Sequence, residues 1–328
     1  MTGLKTLFSL LKETFDEWNN DRAPRLAAAL AYYTAFSIAP LLIIVIAVAG
    51  LAFGQEAVRG RLDNQIQGLV GRQAADTIQE IVANVSQPQT SFLASLVSII
   101  TLILGAIGLF GQLQDALDTV WGVTPRTGQG IVEIIRQRFA SFTMVLGIAF
   151  LLLVSLVISA ILSALSDFTH QLLPGAEVIL QIANVLISFL VITLLFAMIY
   201  KILPDVQIAW RDVWLGAMVT ALLFTVGKFL IGLYLGNSSV ASTYGAAGSF
   251  VVLLLWVYYS AQILLFGAEF TQVYARRYGS KIIPAKNAVP VTTEARAEQG
   301  MSPLKNVPSP ETTIDLDNMS AEDIEKQG

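Results

Sequence analysis

Most of this chain has nothing in it that water would hold. Residues 29–53, 92–114, 140–165 and 178–200 carry no charged side chain, and from Val213 to Ala268 the only charge is Lys228. Each stretch reaches the roughly 20 residues that a helix needs to cross hydrocarbon. The run from Val213 to Ala268 is too long for one crossing, and GNSSVASTYG (236–245), rich in Gly and Ser, divides it into spans at about 213–235 and 246–272. The pattern predicts an all-α, polytopic membrane protein with a bundle of six transmembrane helices. Composition agrees: 13% of the 328 residues are charged, where a soluble domain carries about 25%.

A secretory leader does not account for the first run, because Leu26 to Gln55 is free of charge and is preceded by Glu13, Asp16, Glu17 and Asp21. We read it as a retained span. The chain has no cysteine, which excludes disulfides, thiolate metal sites and a cysteine nucleophile. With a net charge of -4 and no basic block, a nucleic-acid partner is not expected. No cofactor is implied.

Lys and Arg set the orientation. Lys5, Lys12, Arg22 and Arg25 precede the first span; Arg126, Arg136, Arg138, Lys201 and Arg211 lie in the second and fourth loops; Arg276, Arg277, Lys281 and Lys286 follow the last. The opposite side has Arg59, Arg61 and Arg72, all in one long loop. Both termini are therefore expected in the cytoplasm.

Within residues 1–28, Leu4, Leu7, Phe8, Leu11, Phe15 and Trp18 recur at helical spacing, which suits a helix lying on the cytoplasmic membrane surface. Between the first two spans, Val58, Leu62, Ile66, Leu69 and then Ile78, Ile81, Val82 and Val85 predict an external helical hairpin over 56–85, broken near Gly68 and Gly71. The membrane domain covers 29–279. Residues 280–328 turn to Pro, Thr, Glu and Ser with few large apolar residues, and are expected to form a disordered cytoplasmic tail.

Lipid gives helices little reason to associate, so small and polar residues aligned on one face report helix contact or a wet interior. Ser98, Thr101, Gly105, Gly108, Gln112 and Asp115 form such a seam on the second span. On the sixth, Tyr258, Gln262 and Glu269 fall within about 40° of one another. Ionisable groups within spans usually face the bundle interior or a water-filled cavity, which singles out Lys228 and Glu269. A direct pair between them is ruled out by depth: Lys228 lies about 22 Å from the cytoplasmic end of its helix and Glu269 about 5 Å from that end of the next. At the level of Lys228 the sixth span offers the hydroxyls of Tyr258 and Tyr259 and the ring of Trp256, and the alternative is that the lysine snorkels to the outer interface; Glu269 is placed to pair with Arg276 or Lys201. In the first span, Tyr33 and Ser37 precede Pro40, which frees the carbonyl of Phe36 and bends the helix, as in the broken helices of transporters.

Four blocks, DRAPRLAAALAYYTAFSIAP (21–40), LQDALDTVWGV (113–123), LPDVQIAWRDVWLGA (203–217) with Gly227-Lys228, and STYGAAGSFVVLLLWVYYSAQILLFGAEF (242–270), resemble the YihY or virulence factor BrkB family of bacterial inner-membrane proteins. The resemblance covers about 5–280 and implies six spans and a place in the inner (plasma) membrane of a bacterial cell, but no settled activity. An older label on such sequences, ribonuclease BN, does not fit these residues. Metal-dependent hydrolysis needs several convergent His and Asp ligands; this chain has one histidine, His170, and its Asp115 and Asp118 read as solvated helix-end residues. We expect no enzyme.

Two functions fit. The first is a transporter or translocator with a polar intramembrane site drawn from Lys228, Tyr258, Tyr259, Gln262, Glu269, Gln112, Asp115, Tyr33, Ser37 and Pro40, where the lysine attracts an anionic lipid or small anion. The second is a non-transporting envelope assembly or regulatory protein whose polar residues only hold helices together. Membrane lipids are partners in both, and either is compatible with a homo-oligomer. No potassium-filter or Walker motif supports a selective channel of that type or an ATP-driven pump.

Overall fold

A computed structural model describes residues 2–54, 72–85, 108–126, 176–237, 247–279 and 282–302, with single positions at 56, 60, 63, 67 and 244. The chain is built on helices: α1 (Thr2–Asn20), α2 (Ala23–Phe53), α3 (Arg72–Val85), α4 (residues 108–121), α5 (Ala176–Ile202), α6 (Trp210–Asn237), α7 (Gly248–Tyr278) and the short α8 (Thr293–Glu298). Three of them, within α5, α6 and α7, are long and apolar enough to cross a membrane among the described residues. The third span, 140–165, and most of the second lie outside the described residues, and the count of six lies there with them. Of the external hairpin only α3 and single positions before it are described. Its Ala75 and Ile78 are buried, and Ile78 joins Ala31, Val252, Leu253 and Val257 in one apolar cluster, so α3 packs on the bundle.

Small residues make the main core. Ala23, Ala27, Ala116, Ala197, Ala217, Ala221 and Ala268 are buried in one cluster with Leu117, Val213 and Leu265. Without large side chains at the contacts, backbones come close and van der Waals packing replaces the hydrophobic drive that lipid does not supply. The tightest contact is reciprocal. On the antiparallel α6 and α7, Thr220 stands against Gly267 and Thr271 against Gly216, leaving no room for a methyl group at either glycine. Each threonine hydroxyl donates to the carbonyl of the glycine one turn back on its own helix, Thr220 to Gly216 at 2.8 Å and Thr271 to Gly267 at 2.7 Å. Tyr200 of α5 completes the knot: its hydroxyl donates to the Leu264 carbonyl at 2.7 Å and lies 3.1 Å from that of Thr220.

α1 turns into α2 through Asp21 and Arg22, whose positive φ of 53° reverses the chain. α1 is then clamped to the end of α7. Arg276 donates to Glu13 at 2.7 Å and Glu17 at 3.1 Å, while Arg277 reaches Ser9 at 2.8 Å and Glu13 at 3.5 Å. The two carboxylates offset the charge of this half-buried guanidinium.

Residues 282–290 are not part of a disordered tail, against the expectation of one over 280–328. β1 (Val123–Pro125) pairs antiparallel with β4 (Ala288–Pro290), and β2 (Val206–Gln207) with β3 (Ile283–Pro284). Ala288, Val123, Val206 and Ile208 are buried together with Ile282 packed against them. The few apolar residues of 282–290 suffice because they add to an existing core rather than building their own. Residues 291–302 belong to a second unit. There Thr292 caps α8 by accepting the Ala295 N–H at 3.2 Å, and Arg296 donates to the Ser302 carbonyl at 2.7 Å. Residues 303–328 lie outside the described residues.

The starts of α2 and α6, the ends of α4, α5 and α7, and both two-stranded sheets meet at one end of the bundle. That end also carries α1 and residues 282–290.

Candidate functional site

The knot fixes the register of α6 on α7: Gly216 faces Thr271, Thr220 faces Gly267, and Gly227 meets Ile263 and the ring of Tyr259, 3.1 Å from where its Cβ would stand. Lys228 is therefore level with Tyr259. Glu269 is ten residues further along α7, about 15 Å away in depth at 1.5 Å per residue. The two ionisable groups occupy separate levels.

The helical periodicity then says which way Lys228 faces. α6 presents Leu222, Val226, Phe229, Leu230 and Leu233 outward, each at least 49% exposed, as a lipid-facing stripe requires. Ala217 and Ala221 are fully buried on the other side, with Phe224 edge-on to Phe196 of α5 at 5.7 Å. Seven residues make two turns less about 20°, so Lys228 follows Ala221 on this inward stripe. It is half-buried, and among the described residues no ion pair or hydrogen bond holds its ammonium. Its expected cation-π partner is otherwise engaged: the Trp256 ring stands edge-on to Phe224 at 6.3 Å.

Other expected site residues scatter by level. Tyr258 packs between the two apolar clusters. Gln262, one turn on, has its Oε1 buried with no hydrogen bond among the described residues, and Gln272 Oε1 near the other end of α7 is in the same position. Glu269 is 1% exposed. It does not pair with Arg276, which α1 has taken, nor with Lys201, which donates to the Ile208 carbonyl and lies over the Trp210 ring at 5.8 Å. Ser37 is buried in α2, while Tyr33, 41% exposed, packs its ring on Gly108 at the start of α4. α2 continues as a helix through Pro40, whose side chain lies outside the described residues; Thr34 donates to Leu30, not to the freed Phe36 carbonyl. Gln112 is half-buried and Asp115 is exposed.

Sequence reasoning missed Asp118. Read as a solvated helix end, it is 3% exposed, because the 203–208 loop pinned by β2 folds over it and the Asp205 N–H donates to its Oδ1 at 2.7 Å. Burial, with the charges of Asp205 and Asp115 adding, pushes its pKa up to about 8 against the Asp205 hydrogen bond. Residue Asp118 lies past the end of the second span, so this is chemistry of the bundle's end. No group of carboxylates or imidazoles among the described residues could hold a metal ion.

Long apolar helices joined by buried small and polar residues define an integral membrane protein. The sequence profile of the virulence factor BrkB family matches residues 14–292, and the chain belongs to that family. It is similar to UPF0761 membrane proteins: one of Alteromonas mediterranea, 29% identical over 75% of this chain and 80% of that one; one of Psychromonas ingrahamii, 30% identical over 78% and 83%; and one of Pseudomonas paraeruginosa, 30% identical over 76% of this chain but only 58% of the relative. No solved structure matches the chain.

Proposed function

We propose that the protein is a transporter or translocator of the bacterial inner membrane, acting on an anionic lipid or small anion through a polar site between α5, α6 and α7. The observation that carries this is the placement of Lys228 on the inward stripe of α6, level with Tyr259, rather than on the stripe exposed to lipid. A cation at that depth costs about 2.5–3.5 kcal/mol on the insertion scale, and a bundle needing only packing would place alanine there, as it does at Ala217 and Ala221. The buried Gln262 Oε1 and the Glu269 carboxyl extend the polar face along α7. Helical spans suit the inner membrane, since outer-membrane proteins cross as closed barrels. The bonds of α1 to the end of α7 support an even number of spans, and the excess of Lys and Arg supports a cytoplasmic location for that end.

Proteoliposomes test the proposal. Wild-type protein should speed transbilayer movement of a labelled phosphatidylglycerol, or efflux of a small anion, over protein-free vesicles. Lys228→Met should remove that activity while keeping the melting temperature, and Lys228→Arg should retain part of it. Equal rates for wild type and Lys228→Met, or no rate above the lipid blank, reject transport and leave the envelope assembly or regulatory role.

A further inference from the structure

We propose that α1 is a docking helix for an anionic bilayer surface, seated beside the bundle at headgroup depth. At 100° per residue its surface divides into three. Ser9, Leu10, Glu13, Thr14 and Glu17 form the side facing the bundle. Leu10 and Thr14 are buried there, and the Arg276–Glu13, Arg276–Glu17 and Arg277–Ser9 bonds hold it to α7. Leu7, Phe8, Leu11 and Phe15 make the next side, 48, 72, 39 and 53% exposed, an apolar stripe about 100° wide that is left open among the described residues apart from the Trp18 ring stacked on Phe15. Lys5, Lys12 and Asp16, all exposed, form the far edge.

Depth identifies the occupant. Leu10 packs on Phe270 and Val273 of α7, with Leu215 and Val219 of α6 beside them. Phe270 falls in the last turn of the span read at 246–272 and Val273 one residue past it, while Leu215 and Val219 fall in the first two turns of the span read at 213–235. The stripe next to that contact is therefore level with the boundary of the hydrocarbon, where a helix with one apolar side and a lysine edge sinks its apolar side and lifts its ammonium groups to the phosphates. Charge complements the surface: Lys5, Lys12, Arg22, Arg25, Arg276 and Arg277 stand against Glu13, Asp16, Glu17 and Asp21, and because Glu13 and Glu17 are taken up by Arg276 and Arg277, the exposed Lys5, Lys12, Arg22 and Arg25 are left to meet the phosphates. The inference stands on the membrane character of the chain alone and is independent of any transport activity.

Because the chain has no cysteine, single-cysteine nitroxide labels report each side directly. Phe8→Cys, Leu11→Cys and Asp16→Cys would be labelled in full-length protein in nanodiscs of phosphatidylethanolamine with phosphatidylglycerol, and relaxation by oxygen compared with that by a water-soluble nickel chelate. The labels at 8 and 11 should favour oxygen and the label at 16 the chelate. Replacing phosphatidylglycerol with phosphatidylcholine, or adding Lys5→Gln with Lys12→Gln, should move the labels at 8 and 11 toward water. Equal chelate access at 8, 11 and 16 overturns the proposal, as does dipolar coupling between the labels of two copies, which would assign the stripe to a second chain. Insensitivity to lipid charge overturns the anionic preference.

Discussion

A carboxyl group loses its hydration on burial and regains it only from donors that the fold supplies. Asp118 receives one, the Asp205 N–H, and its Oδ2 accepts no hydrogen bond among the described residues. The protonated form is favoured, with a pKa near 8 against 3.8 for a free side chain. The sign of the linkage follows. Below about pH 4 both folded and unfolded chains hold the proton, and Asp118 costs nothing. Between about 4 and 8 the unfolded chain releases it while the folded chain keeps it, so stability falls as pH rises and levels off above 8. At full strength the cost is on the order of 5 kcal/mol. Melting in detergent should show Asp118→Asn flattening this slope between pH 5 and 8 and exceeding wild type at pH 8; an unchanged slope would place the titration elsewhere. The neighbouring Asp115, exposed one turn away, shows that helix-end position alone does not decide the matter.

Between elements, the contact of α6 with α7 rests on two glycines rather than on charge. Alanine at Gly216 or Gly267 would gain up to about 1 kcal/mol of intrinsic helix preference, but its methyl would run into Thr271 or Thr220. Overpacking costs about 1–3 kcal/mol, so the clash wins and both variants should melt below wild type. Adding Thr271→Gly to Gly216→Ala should recover part of the loss, whereas Thr271→Gly should not rescue Gly267→Ala, whose clash is with Thr220 and Tyr200. Equal recovery in both pairs would contradict the register. Gly-x-x-x-Thr at 216–220 and again at 267–271 stands in the sequence. Only the antiparallel packing makes one motif the mate of the other.

The described bundle is tied together at the end that carries α1. Residues 282–290 tie the loop after α4 to the loop after α5 through two short sheets, and so fix the floor of the bundle without entering it. Ending the chain after Gly279 should therefore raise hydrogen exchange at 122–126 and 203–208 together, whereas ending it after Ser302 should leave both protected. Exchange rising in neither loop, or in one alone, would break that link. Glu269 belongs to the same scale: buried near this floor, it was expected against Arg276 or Lys201, but α1 claims the first and the 208–210 segment the second.

Amino-acid order was enough to reveal a helical membrane protein, its family, the separate depths of Lys228 and Glu269, and the amphipathic α1, because each follows from local periodicity and from the cost of charge in lipid. Partner choice was not legible in it. Which arginine meets which glutamate, which threonine fills which glycine, why Asp118 is dry and where 282–290 pairs are contacts between residues far apart in the chain, and close packing of distant segments alone selects them.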